Sequence, residues 1–184
     1  SVEDKLRELE KRVRDVHRKN EEDLDRLLRK SHEMHKRNED ELRKVLEEVR
    51  DAVRKLLKEK GETSELAEEL RRVLEEVERV IREALKISEE VNRRNEELLK
   101  RLKEESRRVL EEVKRMLEKV RDKPDDEEVE RVIKRIDDLL KEVHKILREV
   151  IRRIEKSLEE VHKRVRDLVR EIKELLKEVD RKAK

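Results

Sequence analysis

Apolar residues recur every three or four positions along almost the whole chain, and two short breaks divide this pattern into three segments. Such a period places the apolar side chains on one face of an α-helix. Each segment is far longer than an ordinary globular helix. The pattern therefore predicts three helices, over residues of about 2–60, 64–122 and 125–182.

Both breaks contain residues that end one helix and start another. Gly61 supplies a left-handed helix end, and Thr63 or Ser64 can cap the second helix. Pro124 excludes an ordinary helix interior, and Asp125 with the glutamate three residues later resembles a capping box.

The spacing within each segment also indicates how the helices pack. Leu6, Leu24 and Leu42 share one helical phase because 18 residues complete five turns. This repeat favours nearly straight helices over a steep supercoil. The apolar arcs are about 120–140° wide, so each helix should contact two neighbours. We therefore predict an all-α fold, an up-down-up three-helix bundle of long helices forming a single domain over residues 1–184, with its handedness left open.

Polar residues interrupt the apolar faces, again at a spacing of 18 residues. Folding the chain at its breaks aligns residue i of the first helix near residue 124 − i of the second and near 123 + i of the third. To within about one turn, roughly 5.4 Å, the polar residues then gather into two buried layers. The first polar layer contains His17, Asn20, Ser106 and His144, and the second polar layer contains His35, Asn38, Ser88 and His162. Four further residues fall near the second layer and are candidates to extend it: Ser31, Asn92, Asn95 and Ser157.

Asn, Ser and neutral His can both donate and accept hydrogen bonds, which a closed buried network requires. One interpretation is that the layers only set the helix register, as a buried Asn does in coiled coils. The other is that the histidines also sense pH. The choice of His favours the second interpretation, since Asn and Ser suffice for register. Burial disfavours imidazolium, so stability should fall as the pH drops below about 6.5. If burial lowers the pKa of each of the four histidines by about one unit, the loss of folding free energy on full protonation would be roughly 5 kcal/mol.

Composition excludes several classes of function. Charged residues make up 58% of the chain and aromatic residues 0%, which together with the apolar period is typical of long helices. The net charge is +2 with the signs interleaved, so we expect no nucleic-acid partner. There is no cysteine, which excludes thiol chemistry and disulfides. Without an apolar run of membrane-spanning length or a signal-peptide core, we expect a soluble protein that stays in the cytoplasm of an expressing cell.

The sequence offers no catalytic constellation or phosphate-binding loop, so we expect no enzyme activity, no cofactor and no small-molecule substrate. His32 lies near His35 in sequence but about 60° away around the helix, which predicts a surface position. Glu159 and His162 have the Glu-x-x-His spacing of di-iron bundles, but Glu159 faces outward, so we expect no metal site.

Taken over its whole length, the chain resembles de novo designed helical bundles with buried hydrogen-bond networks, particularly the histidine-containing, pH-responsive ones. Straight helices of Leu, Val, Ile, Glu, Lys and Arg, minimal loops at residues 60–64 and 122–125, and the repeated polar layers carry the resemblance. It implies buried networks at the four layer histidines that break on protonation. Some of those designs are oligomers of helical hairpins, whereas three helices can form a bundle alone. We expect a monomer, with a homo-oligomer as the alternative.

These observations favour a structural bundle that acts as a pH-responsive conformational switch. One alternative is an inert scaffold or assembly subunit whose polar layers only set register. A third interpretation is acid-triggered membrane disruption, in which protonation frees amphipathic helices to bind lipid. The lack of aromatic residues and the weak positive charge disfavour this third interpretation.

Overall fold

The computed structural model describes residues 1–184 and contains three α-helices: α1 (Val2–Lys60), α2 (Glu65–Asp122) and α3 (Asp126–Ala183). The three helices pack against one another through aliphatic cores, so the predicted all-α three-helix bundle is confirmed. None of the three combines the length and the apolar character that a membrane crossing requires.

The connections between the helices are short because local side chains and one glycine satisfy the helix ends. Gly61 adopts φ 90°, and its amide donates to the Leu57 carbonyl at 3.0 Å, which closes the end of α1. The Ser64 hydroxyl accepts from the Ala67 amide at 3.2 Å, so Ser64 caps α2. Pro124 lies between α2 and α3, where it costs no helical hydrogen bond.

The chain divides into two compact units, and every helix contributes a segment to each. Unit 1 contains Ser1–Lys30 and Asn95–Glu155, and unit 2 contains Ser31–Arg94 and Lys156–Lys184. The aliphatic cores follow the same division. The core of unit 1 is built from Leu6, Leu9, Val13, Val113, Leu117, Val120, Val129 and Ile136. The core of unit 2 is built from Leu42, Val45, Val49, Val53, Leu56, Leu70, Val77, Ile81, Val165, Ile172 and Ala183.

Ion pairs in unit 1 show the direction of each helix. Lys5 Nζ lies 3.1 Å from Glu130 Oε1, and these α1 and α3 residues are 125 positions apart. Arg12 and Asp137 pair with the same separation, so α1 and α3 run parallel. Near the start of α1, Glu10 Oε2 accepts from Arg121 Nη2 near the end of α2 at 2.5 Å. The helices α1 and α2 therefore run antiparallel, and the chain goes up, down and up.

In unit 2, α1 and α2 are again antiparallel, because His35 of α1 contacts Ser88 of α2, whereas the later Arg50 of α1 donates from Nε to Oε1 of the earlier Glu78 of α2 at 3.3 Å. Leu42, whose side chain is 0% exposed, belongs to a core cluster to which all three helices contribute buried side chains. This packing brings the second polar layer to a position flanked by aliphatic residues.

Candidate functional site: hydrogen bonds between helices

Histidine and serine side chains join α1 to α2 once in each unit. In unit 1 His17 Nδ1 lies 3.2 Å from Ser106 Oγ, and in unit 2 His35 Nδ1 lies 2.8 Å from Ser88 Oγ. Both serines are buried and both imidazole rings are half-buried. A serine hydroxyl can donate or accept, so these contacts suit either neutral form of the ring and also its protonated form. The repeated spacing of the sequence therefore produces one arrangement twice.

Each of these two rings also faces a carboxylate one helical turn later on α1. His17 Nε2 lies 3.4 Å from Glu21 Oε1, and His35 Nε2 lies 3.6 Å from Glu39 Oε2. Residues four apart share one helix face, which permits this contact, but its formation depends on the side-chain rotamers, and the sequence pattern assigned neither glutamate a role. On protonation each ring would present a second N–H, and a carboxylate already lies there to accept it.

The third histidine contact joins α3 to α1 within unit 2. His162 Nδ1 lies 3.0 Å from Asn38 Oδ1, and Asn38 is only 2% exposed. An amide oxygen only accepts, so the His162 Nδ1 is the donor. Unlike the two α1 rings, the ring of His162 makes no ion pair with a carboxylate. The three bonded histidines therefore differ in how well their surroundings accommodate a positive charge.

Of the four residues predicted to extend the second layer, two form a bond. Ser31 Oγ donates to Asn92 Oδ1 at 2.9 Å, and Ser31 is 0% exposed. Asn95 is buried, and its Nδ2 has no hydrogen-bond partner. Ser157 is half-buried and takes no part in these bonds. The pair of Ser31 and Asn92 thus adds a second connection between α1 and α2 in unit 2.

The structure corrects the composition of the first polar layer, because the His144 side chain is exposed. His144 follows Val143 on α3 and lies at the edge of the buried arc, where a polar ring can turn to water and be solvated at no cost. Asn20 is 9% exposed and therefore buried, but it does not bond to His17 or Ser106. Together with His17 and Ser106, Asn20 lines a cavity of about 20 Å³. The layer is therefore the His17–Ser106 pair with Glu21 and a neighbouring amide.

These side chains can exchange hydrogen bonds and take up protons, but they do not form a metal centre. No three His, Cys, Asp or Glu side chains are grouped so that they could hold a metal ion, and His32 lies exposed on the surface of α1. No protein-family model, curated protein or solved structure matches the chain. The interhelical hydrogen bonds of His, Ser and Asn are accordingly the observations on which a function can be argued.

Proposed function

We propose that this chain is a structural helical bundle whose buried polar side chains fix the alignment of the helices and whose histidines make its stability depend on pH. Both properties, the fixed alignment and the pH-dependent stability, are those of the designed bundles that the chain resembles. The observation that carries the proposal is the set of three histidine bonds between helices, at His17, His35 and His162.

The alignment part of the proposal follows from the cost of breaking these pairs. A shift of α2 along α1 by one turn would move Ser88 and Ser106 away from their imidazoles and would place buried polar groups against aliphatic side chains. Each group left unpaired costs on the order of 1–3 kcal/mol. Aliphatic side chains alone discriminate less between registers, because one buried Leu or Val can replace another. The polar pairs therefore favour one register over its neighbours.

The pH part of the proposal falls mainly on one histidine. When His17 and His35 gain a proton, Glu21 and Glu39 accept the new N–H, so these contacts persist in the charged form of the ring. His144 is exposed and makes no hydrogen bond between helices, so we expect it to contribute little to a pH response. His162 gains a charge while it bonds to a neutral, buried amide, with no carboxylate in ion-pair contact. We expect protonation at this site to weaken the contact between α3 and α1.

The loss of stability expected from His162 alone is smaller than the loss that four equivalent buried histidines would give. One partly buried side chain whose hydrogen bonds are incomplete costs about 1–2 kcal/mol. In a chain of this length that energy lowers the melting temperature by about 3–6 °C. The protein would therefore loosen in acid instead of unfolding abruptly.

The test is thermal unfolding followed by circular dichroism between pH 7.5 and 4.5. His162→Asn should remove most of the pH dependence, because a neutral amide at that position can still bond to Asn38. His144→Asn is the matched control, since it removes an exposed histidine 18 positions earlier on the same helix. The control should keep the wild-type profile.

Two results would contradict the pH part of this proposal. A melting temperature that stays constant from pH 7.5 to 4.5 would leave an inert scaffold in which the polar pairs only set register. A pH dependence that survives His162→Asn but disappears in His144→Asn would show that the exposed histidine, and not the buried contact, is responsible.

A further inference from the structure

The second and third helices carry more apolar residues than α1, although the three helices are almost equal in length. The difference appears on the surface of the bundle. The large hydrophobic residues that remain exposed are Ile87 at 45%, Leu98 at 38% and Ile146 at 47%, and all of them belong to α2 or α3. Two of them, Leu98 and Ile146, lie in unit 1.

In unit 1 the exposed Ile146 lines a groove between α2 and α3, and Leu98 lies one helical turn before Leu102, which also lines it. The groove encloses about 210 Å³. Its apolar lining consists of Leu102, Val109, Leu139, Val143, Ile146 and Leu147. Its polar lining consists of Glu105 and Ser106 on α2 and Glu142 on α3. We call this surface the α2–α3 groove. Exposed aliphatic side chains beside a groove of this kind are what a facing helix packs into.

We propose that the α2–α3 groove of unit 1 binds the same groove of a second copy of this chain, with the two α3 helices antiparallel. A symmetric pair of identical surfaces is the commonest arrangement in soluble oligomers. The inference goes beyond the proposed pH response, because the groove contains none of the hydrogen-bonded histidines and shares only the buried Ser106 with their contacts.

The size and edges of the groove argue for a protein occupant. A volume of 210 Å³ is below the range of about 300–1,000 Å³ that small-molecule sites occupy, but it accommodates aliphatic side chains from a neighbouring helix. The glutamates at positions 105 and 142 would face the head groups of an anionic lipid surface, which repels them. A second copy brings both apolar side chains and basic residues to the same place.

Charge along α3 selects the antiparallel orientation. Glu142 lines the groove one turn before Ile146. Arg153 follows Ile146 by two turns on the same face, beyond the groove lining, and pairs with Glu149 of its own helix at 3.0 Å, an exposed contact that a second carboxylate can share. The charges of Glu142 and Arg153 are therefore roughly 16 Å apart along the helix. An antiparallel copy places Glu142 of each chain opposite Arg153 of the other, and Ile146 lies between the two ion pairs. A parallel arrangement would bring like charges together, which opposes association.

Sedimentation velocity at pH 7.5 over a concentration series tests the proposal. Interference optics are needed, because the chain contains no aromatic residue. The wild-type chain should shift from monomer to dimer as its concentration rises. Ile146→Glu should keep it monomeric over the same range. Ile87→Glu is the matched control, since it changes an equally exposed isoleucine outside unit 1 and should leave the dimer unaffected.

Charge reversal tests the orientation separately. Glu142→Arg alone and Arg153→Glu alone should each weaken the dimer several-fold, because every reversal creates two like-charged contacts per dimer. The combined variant should recover the wild-type dissociation constant to within about twofold, since both pairs are restored with opposite polarity. Circular dichroism of each variant verifies that the helices remain folded.

Three outcomes would overturn the proposal. The first is a wild-type chain that stays monomeric at all concentrations. The second is a dimer that Ile146→Glu leaves unchanged. The third is a wild-type chain that stays monomeric but binds neutral phosphatidylcholine vesicles, with this binding lost in Ile146→Glu. That result would assign the groove to lipid.

Discussion

Replacing Asn38 and His162 by leucine, singly and together, tests how much their hydrogen bond contributes to stability. The His162 Nδ1 donates to Asn38 Oδ1 at 3.0 Å, and Asn38 is 2% exposed, so Asn38→Leu takes away an acceptor that bulk water does not readily replace. His162→Leu instead leaves the buried amide oxygen of Asn38 without its donor. Each single variant should therefore be less stable than the wild type.

The expected magnitudes follow from this geometry. Each single substitution leaves one partner unsatisfied, which costs about 1–2 kcal/mol after the gain from added apolar burial. The double variant leaves no orphaned group, and replacement of both partners by apolar side chains is close to neutral or stabilising. The coupling energy of the cycle should therefore be at least about 1 kcal/mol.

Guanidinium chloride unfolding at pH 7.5, monitored by circular dichroism, gives the four free energies of the cycle. All four proteins are measured at this one pH, so that the cycle compares the side chains under identical conditions. Thermal unfolding provides a second readout, because each kcal/mol lost from the free energy of unfolding should lower the melting temperature by about 3 °C.

Additive effects of the two substitutions on the free energy of unfolding would contradict a stabilising role of the hydrogen bond. If the two single effects sum to the effect of the double variant within about 0.3 kcal/mol, the His162–Asn38 bond contributes nothing beyond its two separate side chains. The same would follow if Asn38→Leu alone were more stable than the wild type. The alignment role proposed for this pair would then lose its energetic basis.

Three further predictions concern the core, the first turn and an ion pair, each checked by chemical unfolding. Leu42→Ala should cost about 3 kcal/mol, because the side chain is 0% exposed and its removal leaves a cavity; a loss below 1 kcal/mol would show that the site collapses around it. Gly61→Ala should cost about 1 kcal/mol from backbone strain alone, since φ is 90° and a Cβ would meet nothing within 4 Å. The hydrogen bond from Arg121 holds the pKa of Glu10 below its ordinary value of 4.5, so the contribution of Glu10 is present above that value and is lost as the pH falls through the lowered pKa. Glu10→Gln should accordingly cost about 0.5 kcal/mol at pH 7 and nothing at pH 2, and an equal cost at both would contradict this.

The helices and their alignment were accessible from the sequence because both rest on periodicity. Gly61 and Pro124 mark the breaks, and the apolar period of each segment determines which face is buried. The 18-residue repeat fixes both the phase and the height of a residue on a helix, which is why folding the chain at its breaks predicted that His17 and His35 would face the serines of α2.

Residues at the edges of the buried arcs were harder to predict. His144 and His162 share one helical phase, yet the first is exposed and the second bonds to Asn38. Helix phase gives the direction of the Cα–Cβ bond, whereas the position of a long side chain depends on the rotamer and on which neighbours it meets. The same limit applies to Glu21 and Glu39, whose contacts with the imidazoles depend on side-chain reach.

The division of the aliphatic core into two clusters has a consequence for how the protein unfolds. The helices pass from one unit to the other at positions 30/31, 94/95 and 155/156, and the buried polar residues Ser31 and Asn95 lie directly at two of these positions. Each unit therefore encloses apolar surface of its own, and each holds 13 of the buried hydrophobic residues. Continuous helices with separate cores should behave as two foldons. In native-state hydrogen exchange, the backbone amides of the core within one unit should open together, with an opening free energy that is independent of the other unit.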